Sequence, residues 1–79
     1  MNINEVNAIG VKFSKDADEQ VYVNLHDTTT AYGITYYRFV KMVPKPSVFD
    51  IWAISQKYLD EQVEKGMIRI IQTFKELVM

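Results

Sequence analysis

Residues 47–79 read SVFDIWAISQKYLDEQVEKGMIRIIQTFKELVM, with no proline and a single glycine, Gly66. Pro44-Lys45-Pro46 stand just before this stretch and bias the residues ahead of each proline away from helix. Ser47 is a suitable N-cap, and Asp50 three residues later makes a variant of the capping box at the positive end of a helix. At roughly 100° per residue, Val48, Trp52, Leu59, Val63, Met67, Ile70, Phe74 and Leu77 fall in one stripe whose phase carries across Gly66. Lys65-Gly66 has the look of a left-handed C-cap, but the apolar contact that Met67 would make in a Schellman turn falls on Glu61 or Gln62. The spacing therefore predicts one long C-terminal helix, with Gly66 as the place for any kink or break.

Such a helix would be roughly 48 Å long at 1.5 Å per residue, against a diameter near 30 Å for a globule of this length. Ile51, Ile54 and Tyr58 add a second apolar patch on nearly the opposite side from Trp52 and Leu59. The surplus predicts a homo-oligomer, a dimer, associating through Ile51, Ile54, Tyr58, Met67, Ile70, Phe74 and Leu77.

Ahead of the prolines the period changes to two. Ile9, Val11 and Phe13 alternate with Gly10, Lys12 and Ser14, and the polar run 15–19 reads as a hairpin loop. In residues 20–26 the alternation places Val21, Val23 and Leu25 inward and Gln20, Tyr22, Asn24 and His26 outward. Residues 27–30 and Gly33 form a turn region, and 34–42 is rich in β-branched and aromatic residues on both faces. The expected fold is α+β: a three-stranded antiparallel β-meander (8–42), a Pro-rich connector (43–47) and a C-terminal helical segment (48–79), as one domain.

Nine basic and ten acidic residues give a net charge of −1, and there is no cysteine. The balance argues against a strongly electrostatic nucleic-acid binder, while the lack of thiols removes disulfides and thiolate metal sites and suits the cytoplasm. No apolar run approaches the ~20 residues of a membrane span.

Chemistry-bearing motifs are sparse. His26 and Asp27 are adjacent, so on a strand they point to opposite faces. Ser14, Ser47 and Ser55 lack a nucleophile-elbow context, and Asp16, Asp18 and Glu19 lack the remaining ligands of a calcium loop. The isolated glycines form no phosphate loop, and Asp60, Glu61 and Glu64 beside Lys57 and Lys65 read as a solvated helix face. No catalytic residue, cofactor or metal is expected. Trp52 is assigned to the core.

The sequence thus predicts a small non-enzymatic protein-interaction module, with Tyr22, Tyr36, Tyr37 and Arg38 as partner-binding residues of the kind enriched at interface hot spots. The alternative is a nucleic-acid-binding protein that stacks bases on an aromatic-basic sheet face of Tyr22, Tyr36 or Tyr37, Arg38, Lys12 and Lys41.

Overall fold

The computed structural model describes residues 1–74. A 3-10 turn at Ile3–Glu5 leads into β1 (Val6–Val11), followed by β2 (Gln20–Ala31), β3 (Ile34–Val43), β4 (Ser47–Ser55), α1 (Gln56–Glu64) and β5 (Ile68–Thr73). The strands form one antiparallel sheet of five in the order β4-β3-β2-β1-β5. Helix α1 carries the chain from the β4 edge to the opposite edge, where β5 pairs with β1.

This corrects the expected three-stranded meander with a long C-terminal helix. The helical wheel sets Ile51 and Ile54 together against Trp52, whereas on the strand Trp52 and Ile54 share the core side and Ile51 is exposed on the other. Short apolar runs fit either period, and here the β-branched and aromatic residues of VFDIWAI pair with β3 over Phe39↔Trp52 and Tyr37↔Ile54. Residues 68–73 behave likewise, with Ile68 and Ile70 on the core side. Leu77, assigned to the helical stripe, lies outside the described residues.

Both predicted helix ends also move. The N-cap is Ser55 and not Ser47: the Tyr58 amide donates to Ser55 Oγ at 3.1 Å. The helix does not run through Gly66, which has φ +76°. Met67 N donates to Gln62 O at 2.9 Å and Gly66 N to Val63 O at 3.1 Å, the two bonds of a Schellman turn. A glycine free to adopt the left-handed conformation and two satisfied terminal carbonyls end the helix without the apolar contact.

The inward face of β2 is the reverse of that predicted. Tyr22 and Asn24 are 7% and 4% exposed, whereas Leu25 is 40% exposed. The neighbours decide: Ile9 pairs with Tyr22 and Phe39 with Asn24, and the bulky side chains of β1, Ile9 and Val11, lie on that same side. Ile3 and, from α1, Leu59 close over this face to complete the core with Val6, Ile54 and Ile68.

Asn24 is the one buried polar residue among those described. Its Nδ2 donates to Val6 O at 2.9 Å and Ile3 O at 3.3 Å, and its Oδ1 accepts from His26 N at 2.8 Å. Those bonds hold the N-terminal segment on the sheet and close a β-bulge. Between Asn24↔Phe39 and Thr28↔Tyr37, β2 advances four residues against two on β3, with His26 at φ +57°. Beyond the bulge the β2–β3 hairpin projects as an arm. Ala31 pairs with Ile34, and Tyr32 and Gly33, both at positive φ (53° and 75°), make the two-residue turn whose twist matches a hairpin.

Two stability predictions follow from these contacts. Replacing Asn24 by Ala orphans two carbonyls and an amide and is expected to cost about 2–4 kcal/mol in urea unfolding. Gly66→Ala is expected to cost about 1 kcal/mol in the same measurement, because a side chain is strained at a left-handed position.

Candidate interaction surface

The residues singled out from the sequence are dispersed over both faces of the sheet. Tyr22 is buried and Tyr37 packs against the core, on the helix-covered side. Arg38 lies between Tyr37 and Phe39 on β3 and so projects from the opposite face, where it pairs with Asp27 through Nε–Oδ1 at 2.8 Å and Nη2–Oδ2 at 2.9 Å. Tyr36 is half-buried and stands in register with Thr29 and Ser55. The aromatic and basic groups are therefore not assembled into one stacking surface.

The proposed self-association residues separate in the same way. Ile54 is in the core and Ile70 packs against it, while Ile51 is exposed on the other face. Met67 is part of the helix cap and its carbonyl accepts from Lys12 N at 2.9 Å. Tyr58 meets Trp52 edge-on at 5.6 Å between ring centroids, and Phe74 meets the His26 ring at 5.5 Å. Phe13 and Tyr22 also contact Trp52, at 5.5 and 5.6 Å, so Trp52 is the hub of an aromatic cluster at the end of the helix-covered face. Burial pushes the Tyr22 phenol above its usual range there, opposed by the nearby Lys41 ammonium.

His26 and Asp27 form no dyad: the imidazole Nε2 lies 3.4 Å from Asn7 Oδ1, and Asp27 is engaged by Arg38. A cleft of about 450 Å³ between the hairpin arm and the start of α1 is lined by Ile34, Tyr37, Gln56 and Lys57, among others. Its Gln56 amide is committed to the fold, accepting from Ile3 N at 2.7 Å and donating to Met1 O at 2.7 Å and Asp60 Oδ1 at 3.0 Å.

What the sequence reading missed is the outer face of the sheet. Ile51, Val40, Val23 and Ala8 stand side by side across β4, β3, β2 and β1, and Val43, Val21 and Gly10 form the adjacent row. Among the described residues this face is open on the β4 side and closes toward β1: Ile51 and Val43 are 43% and 44% exposed, Val40, Val23 and Val21 are partly exposed, and Ala8 and Gly10 are buried. The available signal was that residues 34–43 carry apolar side chains at both parities, which a sheet covered on one side does not require.

Two ion pairs flank the apolar rows. One is Arg38–Asp27. In the other, Glu19 accepts from Arg69 Nη2 at 2.8 Å and Nε at 3.1 Å, with its carboxylate lying over Gly10. A Cβ at position 10 would collide with that carboxylate, so glycine is needed for close approach. Hydrogen bonding to Arg69 holds Glu19 below its ordinary pKa, Arg38 does the same for Asp27, and Lys41, 2.8 Å away, does so for Asp50.

Compared with protein-family models, curated proteins and solved structures, the chain matches none.

Acid titration checks these ion pairs. A carboxylate whose folded pKa is depressed contributes stability that is complete above its unfolded pKa and is lost as pH falls through the folded value. Urea midpoints are therefore expected to hold steady at neutral pH and to fall on acidification below the ordinary carboxylate range. The acid dependence should shrink in 1 M salt, because the pairs are exposed. Gly10→Val, which displaces Glu19, is expected to remove that residue's share of the dependence.

Proposed function

We propose that the protein is a small non-enzymatic interaction module that acts in the cytoplasm by binding a partner protein through the outer face of its sheet. The observation that carries this reading is the row Ile51, Val40 and Val23, apolar, in register and at least partly exposed, ending at the buried Ala8. Soluble domains rarely leave a continuous apolar patch of this kind facing water, and such patches mark interaction sites. The flanking arginines are already neutralised by Asp27 and Glu19, so the face offers an apolar partner surface more than an anionic one. The conspicuous polar side chains also have structural partners: Asn24 in the bulge, Gln56 at the N-terminus and Ser55 at the helix cap. A chain without thiols suits a reducing compartment.

A photo-crosslinking amino acid at Ile51, activated in cells, tests the reading. Discrete protein adducts are expected from position 51 and not from the exposed helix position Glu64. Absence of any protein adduct from position 51 would sink the proposal.

A further inference from the structure

We infer that the occupant of the outer face is a second copy of this chain, the two sheets packing face to face into a β-sandwich with a second core between them. The inference rests on the interaction reading above and names its partner.

Surface area is the first argument. Among the described residues, fourteen large apolar side chains are exposed, against ten buried hydrophobic residues. Five strands at about 4.8 Å spacing make a face roughly 24 Å wide, and the six residues of β1 and of β5 give it a shared length of about 20 Å. The face therefore presents on the order of 500 Å², which puts a face-to-face dimer at the small end of specific protein-protein interfaces.

Self-complementarity is the second argument. A two-fold interface sets the same surface against itself, so any unbalanced charge on it meets its own kind. On this face each arginine carries its own carboxylate, Arg38 with Asp27 and Arg69 with Glu19, and the rows between them are apolar. A copy therefore meets neutral pairs at the rim and valines and isoleucine at the centre. Sheets with one uncovered apolar face bury it against another layer, with the two sheets about 10 Å apart.

Sedimentation equilibrium of the whole chain, at concentrations up to about 200 µM to capture a micromolar Kd, is expected to give twice the mass of 9.2 kDa. Val40→Lys and Ile51→Lys are each expected to weaken the dimer at least tenfold. Trp52 fluorescence should remain unchanged in both, because Trp52 projects from the helix-covered face. A monomeric wild type, or a weakening under tenfold in folded variants, overturns the inference. Should Val40→Lys fail to fold, Ile51→Lys decides, since position 51 is already exposed at the sheet edge. The absence of cysteine allows a second measurement: a nitroxide on Ile51→Cys is expected to show dipolar broadening from the copy, and one on Glu64→Cys is not. A label at position 51 without broadening also overturns the inference. The crosslinking experiment separates the two claims. Adducts only to other proteins overturn the second copy and leave the module reading standing; no adducts at all overturn both.

Discussion

A single buried amide ties the two ends of the architecture together. Asn24 sits in the core face of β2, where an unpaired polar group would cost free energy, and all of its bonds go to backbone: Val6 and Ile3 on one side, His26 on the other. The first pair brings the N-terminal turn over the sheet, so that Ile3 reaches the core beside Leu59. The third closes the bulge, which turns Asp27 toward Arg38 and launches the hairpin arm. Core cover and outer-face electrostatics therefore share one anchor.

From that anchor the sheet acquires two unlike faces. One is closed by α1, the N-terminal turn and the aromatic cluster around Trp52. The other carries small and β-branched residues between two arginine–carboxylate pairs. Gly10 shows how tightly the second face is arranged, because a missing side chain there is what lets Glu19 cross β1 to Arg69. Exposed pairs of this kind add little to stability and chiefly keep charge away from the apolar rows.

Much of the strand content was legible in local pattern. The period-two alternation of residues 20–26 marks β2, and the density of aromatic and β-branched residues marks β3. The phase of β2 was not legible: Val21, Val23 and Leu25 are the more apolar set, yet Tyr22 and Asn24 are buried because Ile9 and Phe39 stand beside them. The interaction surface was missed for the same reason. Val23 and Val40 form a row only once β2 and β3 are in register, and a search for aromatic and basic side chains favours Tyr22 and Arg38, which lie on opposite faces.

By itself the sequence determined the things that depend on neighbours along the chain: an alternating β2, a cysteine-free and nearly neutral composition, and glycines at Gly33 and Gly66 where φ is positive. Only the tertiary structure decided whether residues 47–55 and 68–73 are helix or strand. Their apolar residues satisfy a 3.6-residue period and a period of two about equally well, and the choice fell to β3 and β1, whose free edges offered hydrogen bonds and side-chain partners. Gly66 is where the two kinds of information meet. The apolar phase carries a helix straight through it, but its left-handed φ ends α1 there, and pairing with β1 takes the residues that follow as a strand.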